Sequence, residues 1–167
     1  MNIQDILTLY EYNYWANKRI LAASEKVTEK QFLAPANFPF GGLRGTLVHI
    51  MDAEFGWRAF FQHNDWSAAD LKEVDFPTLV SIKERWKKEE QEFRAYLSTL
   101  RDEDMNVHRQ YTTAEGVSRD RILWHCLLHV VNHGTQHRSE AAALLTDYGS
   151  SPGDLDFTVF LNAIQKS

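Results

Sequence analysis

The stretch Leu123-Trp124-His125-Cys126-Leu127-Leu128-His129-Val130-Val131-Asn132-His133-Gly134-Thr135-Gln136-His137 sets four histidines at four-residue intervals among apolar residues. Residues four apart stack on one face of an α-helix, whereas a strand sends alternate residues to opposite sides. The stretch therefore predicts a long helix. Ser118 stands where an N-cap hydroxyl would accept from the free amides of the first turn, and Gly149 provides the stop, so the helix is expected to reach about Tyr148.

Working outward, the eight Gly and four Pro cluster between Pro35 and Gly45, at Pro77, at Gly116 and between Gly149 and Gly153. The stretches between them read as helices. In the first, Ile3, Ile6, Leu7, Tyr10, Tyr14, Ile20 and Leu21 recur at spacings of three and four. A second runs from about Leu43 to about Gln62, after the Gly41-Gly42 breaker. A third follows Pro77, where Leu79, Ile82, Trp86, Phe93, Leu97 and Leu100 form a stripe and Lys87-Lys88-Glu89-Glu90 is expected on the solvated side. Val107 to Thr113 and then Val117, separated by Ala114-Glu115-Gly116, read as a small hairpin. Pro152 and Asp154 introduce a last short helix from Leu155 to about Ile164. The expected architecture is all-α: a four-helix bundle with a small β-hairpin before the fourth long helix and a short C-terminal helix, forming one domain over residues 1–167. No internal repeat interrupts it.

Composition narrows the function. Eighteen Lys and Arg against 23 Asp and Glu leave a net charge of −5 with neutral histidines. That balance argues against nucleic acid, whose binding draws on phosphate-neutralising cations. No apolar run reaches the roughly 18 residues of a membrane span. A single cysteine, Cys126, forbids an intrachain disulfide, and Met1-Asn2-Ile3-Gln4-Asp5 lacks the cationic start of a secretion signal. A cytoplasmic protein is expected.

The histidine series points to metal chemistry, and helix geometry selects within it. Each four-residue step precesses by about 40°, so the four histidines cannot all reach one ion. Relative to the core direction set by Leu123, Trp124, Leu127, Leu128, Val131, Ala141, Ala142 and Leu145, His129 lies at about 180°, His125 and His133 at about 140° and His137 at about 100°. His133 and His137 are thus the pair nearest the bundle interior, where bundle sites form. His129 is expected at the surface or beside a ligand. Cys126 is expected to be a small buried apolar residue. From the second helix, His49 within Leu47-Val48-His49-Ile50-Met51 is the candidate third ligand, and His63 and His108 are expected at the surface. Neither His129 nor His133 is followed by the glutamate that a zinc protease uses as general base, which argues against that class.

These residues carry a family likeness. Tyr12-Asn13-Tyr14-Trp15-Ala16-Asn17-Lys18-Arg19, Leu43-Arg44-Gly45-Thr46-Leu47-Val48-His49-Ile50 with Glu54 and Trp57, the run from His129 to Arg138, and Ser151-Pro152-Gly153-Asp154-Leu155-Asp156-Phe157 together resemble the DinB/YfiT-like superfamily of metal-binding four-helix bundles. The resemblance spans nearly the whole chain. It departs at Glu140, where many relatives carry Gln. It implies a three-histidine site on His49, His133 and His137 for a divalent metal ion, zinc or nickel, and a homodimer. For some members it implies thiol transfer with a low-molecular-weight thiol such as bacillithiol or mycothiol.

Three functions follow from three imidazoles that leave coordination positions open. A metal-dependent thiol S-transferase would take a small-molecule thiol and an electrophile as substrates. A metal-dependent hydrolase would activate water instead. A non-catalytic metal-binding stress-response protein would use neither. For the dimer, five Trp and ten Phe exceed what one small bundle readily buries, and Trp66 and Phe76 flank loops where a contact surface is expected. The alternative is that both pack beneath those loops.

Overall fold

The computed structural model describes residues 1–66, 70–113 and 116–165. Helix α1 (Ile3–Ser24) opens on a reciprocal cap: the Asn2 side chain accepts from the Asp5 amide at 2.9 Å, and the Asp5 carboxylate accepts from the Asn2 amide at 3.0 Å. A one-turn helix α2 (Glu29–Phe32) precedes the Gly-rich loop. Helix α3 (Leu43–His63) follows and ends at Asn64, whose left-handed φ of 54° lets its amide close on Phe60 O. Helix α4 (Leu79–Leu97) starts from a Thr78 cap. The antiparallel hairpin β1 (His108–Thr112) and β2 (Ser118–Ile122) leads into α5 (Leu123–Asp147), and α6 (Phe157–Ile164) packs back on α1. Within the bundle, α5 lies against both α1 and α3, and α4 against α3. None of the described helices is long and apolar enough to cross a membrane.

The hairpin corrects one expectation. Ser118 does not cap a helix; it pairs with Thr112, and the second strand continues to Ile122 opposite His108. The Leu123 amide then donates to Val107 O at 2.9 Å. A continuous ladder satisfies more backbone groups than one capping hydroxyl, so the helix begins only at Leu123, with no side-chain cap. The expected turn residues Ala114 and Glu115 lie outside the described residues. At the other end of the chain, the Asp154 carboxylate accepts from the Asp156 amide at 2.9 Å, a local turn that delays α6 to Phe157.

A second correction falls on Lys87-Lys88-Glu89-Glu90. Both lysines are exposed, but Glu89 is fully buried. Ile82, Trp86, Glu89, Phe93 and Leu97 follow the three-four spacing of the inward stripe, and Glu89 meets the buried Arg58 of α3, which binds both of its carboxylate oxygens. Burial of the acid is tolerated because the cation travels with it.

Trp66 and Phe76 pack within this chain. Trp66 stacks on Phe60 with ring centroids 4.7 Å apart, and Phe76 is buried among Leu43, Leu47 and their neighbours.

The apolar core has two halves. One gathers Ile6, Tyr10, Phe60, Phe93 and Leu127; the other gathers Ile20, Leu47, Met51, Ile82 and Leu145. Each fully buried Leu or Ile contributes about 1.5–3 kcal/mol, so these halves supply the stability. Between them every long helix contributes a polar group. Glu54 of α3 accepts from Asn13 Nδ2 at 2.6 Å, from Asn17 Nδ2 at 2.9 Å and from Trp86 Nε1 at 2.6 Å. Arg138 of α5 donates through one nitrogen to both Asn13 Oδ1 and Asn17 Oδ1, and through the other to Thr135 Oγ1. The two asparagines of α1 thereby point their amide nitrogens at an anion and their oxygens at a cation. Burial pushes the Glu54 carboxyl up, opposed by its three donors and by Arg138; burial also pushes the Arg138 guanidinium down, opposed by Glu54. Gly134 makes room for this layer, since a Cβ there would lie 2.6 Å from an Arg138 nitrogen and 2.9 Å from Asn13 Oδ1.

Between α1 and α4 a cleft of about 580 Å³ remains, with Asn17, Leu21, Val80 and Trp86 among its walls. Ion pairs of Glu25 with Lys83, Lys18 with Glu90 and Glu11 with Arg94 bridge its two sides.

Replacing Arg138 by Met leaves Glu54 buried without its cation and is expected to destabilise the fold by about 3–5 kcal/mol, read from urea denaturation. Adding Glu54→Gln should recover part of that loss. A double variant as unstable as the sum of both single variants would contradict the coupling.

Candidate metal centre

His49 lies two turns into α3, where the apolar run Leu47, Val48, Ile50, Met51 turns it toward α5. His133 and His137, one turn apart on α5, face it. Their ligand atoms come together: one from each of His49, His133 and His137 lies within 4.8 Å of the others, an arrangement that can hold a metal ion. Nε2 of His49 and Nε2 of His133 are 2.9 Å apart. The ring of His137 stands 4.6 Å from that of His49 and 4.5 Å from that of His133, centroid to centroid. Along α5, His137 is only 4% exposed, His133 is half-buried, and His129 and His125 are exposed; His125 and His133 share an azimuth, and only His133 faces His49.

The remaining candidates stay apart from this cluster. His63 and His108 are exposed, and His108 Nδ1 contacts Asp120 at 2.6 Å. Cys126 is buried among the apolar residues of the core.

Two side chains that periodicity did not single out complete the surroundings. Glu140 places Oε2 2.8 Å from Nδ1 of His137. A carboxylate there fixes the ring orientation and holds the proton on Nδ1, leaving Nε2 as the free lone pair, an arrangement common behind metal-bound histidines. The signal was present in sequence as a His-x-x-Glu spacing on one helix. Phe40, in the loop before α3, lies flat on His49 with centroids 3.3 Å apart and planes 10° from parallel, and its edge meets His137 at 5.2 Å. Gly45 permits this, because a Cβ at that position would stand 2.1 Å from Phe40 O. No spacing rule reaches from a loop onto a helix face in this way.

The electrostatics suit cation binding. Burial, and then the neighbouring His137, pushes the His49 imidazole down to about 4. Burial pushes His133 down to about 3, aided by His49, His137, His129 and the buried charge of Arg138. Both rings are therefore neutral near pH 7, with lone pairs available, the protonation state a metal ligand requires. Among the described residues the grouping contains three ligating side chains, with no fourth His, Cys, Asp or Glu joining it. Three imidazoles suit zinc, nickel, copper or iron by donor type.

The family described as DinB family matches residues 1–167. Protein DinB of Bacillus subtilis (strain 168) is 27% identical over 165 residues, covering 95% of this chain and 96% of that protein.

Chelator-treated protein should lose stability in acid in a defined window. The folded-state values of His49 and His133 lie below their ordinary 6.5, so the unfolded chain binds more protons as pH falls through that range. Stability is expected to decline from about pH 6.5 toward about 4 for His49 and about 3 for His133, with no further loss from these groups below. His133→Gln should flatten the dependence between pH 6.5 and 4 in urea midpoints. An identical slope in wild type and variant would remove the basis for it.

Proposed function

The chain belongs to the DinB family, and on that premise we propose that His49, His133 and His137 hold one divalent ion, zinc or nickel, in a metal-dependent thiol S-transferase. The observation that carries the reading is the convergence of three imidazoles from α3 and α5 within 4.8 Å, with no fourth protein ligand among the described residues. Three-ligand sites belong to reactive centres, four-ligand sites to structural ones. When bound, a divalent ion supplies a positive centre that lowers the pKa of a thiol beside it, making the thiolate available near neutral pH. The chain's own residues prepare this. Burial keeps His49 and His133 unprotonated, Glu140 holds the His137 tautomer, and Phe40 shields one face of His49 from water. The absence of a glutamate directly after His129 or His133 supports a thiol over a water nucleophile, because the general base of the zinc proteases is missing.

Metal analysis of purified protein tests the ligand set. His133→Ala is expected to lose stoichiometric metal while His125→Ala retains it; full retention in His133→Ala would overturn the assignment. Transfer is tested with bacillithiol, glutathione or coenzyme A and a generic electrophile. Metal-loaded wild type should exceed the uncatalysed rate with at least one thiol, and His137→Ala should return to it. A background rate with every thiol would leave a metal-binding protein without this activity.

A homodimer belongs to the same proposal, supported by the family likeness and not by Trp66 or Phe76, which are occupied within the chain. Light scattering at micromolar concentration should give twice the 19.4 kDa chain mass. A mass of one chain would reject it.

A further inference from the structure

A cavity of about 220 Å³ adjoins the histidine cluster, lined by Trp57 of α3, Tyr111 of β1, Arg121 of β2 and His125, Cys126 and His129 of α5. His129 joins the two places. Its ring centroid is 5.2 Å from Trp57 on the cavity side and 5.9 Å from His133 on the cluster side. The rise of α5 separates His125 from His133 by about 12 Å, so the cavity leads from the hairpin toward the three histidines.

The hairpin presents an unusual charge pattern to it. Its register sets Arg109 opposite Arg121 and Tyr111 opposite Arg119, and alternation along the strands puts all four on one face. Like charges placed directly opposite destabilise a strand pair unless an anion compensates them. Among the described residues none of these arginines forms an ion pair, and no acid lines the cavity. Asp120 has its carboxylate on the opposite face, engaged by His108 and Gln110, while its backbone oxygen accepts from one Arg121 nitrogen at 2.9 Å, leaving the other guanidinium donors for a ligand. Arg109 lies against Tyr96, and its Nε is buried without a hydrogen-bond partner. Arg121 lines the cavity, and Arg109 stands opposite it across the strand pair.

We propose that this cavity binds a small molecule with an anionic oxygen group, carboxylate or phosphate, held by Arg121 with Arg109 opposite it adding positive charge, with an apolar or aromatic body against Trp57 and Tyr111 and its reacting end toward His129, the neighbour of His133. The guanidinium fork matches either head group. At this volume, under the roughly 300 Å³ where drug-sized pockets begin, the occupant is a small metabolite. The proposal rests on the metal-centre reading for its functional meaning, since the cavity would position one substrate beside that centre.

The probe is 3-phenylpropionate, titrated against tryptophan fluorescence at low salt, with its uncharged amide as control. The acid is expected to bind at least about tenfold more tightly than the amide, and Arg121→Gln to weaken the acid by about tenfold while leaving the amide and the metal content unchanged. Equal affinity for acid and amide, or an unaltered acid affinity in Arg121→Gln, would overturn the proposal; the first comparison needs no variant. Competition by acetate or by inorganic phosphate assigns the head group, and failure of both to compete also overturns it. Chelated wild type and His133→Ala should keep their affinity for the acid. Loss of binding on chelation would place the anion on the metal and overturn this proposal alone. Failure of unchelated wild type to take up stoichiometric metal, with acid binding intact, would overturn the metal centre alone.

Discussion

A buried anion and a buried cation, joined through two asparagines, hold the bundle in alignment. Glu54 and Arg138 lie on facing helices, Asn13 and Asn17 of α1 bridge them, and Trp86 of α4 donates to the anion. Apolar seams tolerate small slips, because one Leu packs nearly as well as the next. A polar layer does not, since sliding one helix by a turn, about 5.4 Å, would bury each of these groups without its partner. Such charges are costly to bury, and their common attested use is to specify register. Here the register places His49 just before Glu54 on α3, and His133 and His137 just before Arg138 on α5. The histidine cluster meets at that level because the helices are held there. Arg138 also reaches the cluster electrically, as one of the charges that keep the His133 ring neutral.

The layer and the cluster share their spacers. Gly134 sits between His133 and Thr135, where any side chain would strike Arg138 and Asn13. The segment from His133 to Arg138 therefore serves two tasks at once: its histidines face α3 across the site while its glycine and arginine serve the interior.

Much of this was legible in sequence where it depended on period. Four long helices, the hairpin, the short last helix and the pairing of His133 with His137 all follow from three-four spacing and its breakers. The beginning of α5 did not, because Ser118 satisfies both a cap and a strand, and only the pairing with Thr112 chooses between them. Glu89 was misplaced because its charge was weighed above its position in the stripe of Ile82, Trp86 and Phe93. Asn13, Asn17 and Arg138 occupy inward positions on their helices as well, and an apolar pattern passes over them. Phe40 was out of reach for a different reason: it approaches His49 from a loop, and loops carry no period.

The cleft between α1 and α4 makes the bundle's exposure to dissolved salt uneven. Three seams of the bundle are closed by packing, while the fourth packs where Tyr10 meets Phe93 and is bridged across its cleft by ion pairs, which dissolved salt screens. Helix α4 is tied to α3 through Arg58 and Glu89. The three histidines ride on α3 and α5 alone. Ionic strength acts on the ion pairs of that fourth wall and not on the histidines, which take no part in them, so the candidate chemistry sits away from the salt-sensitive side.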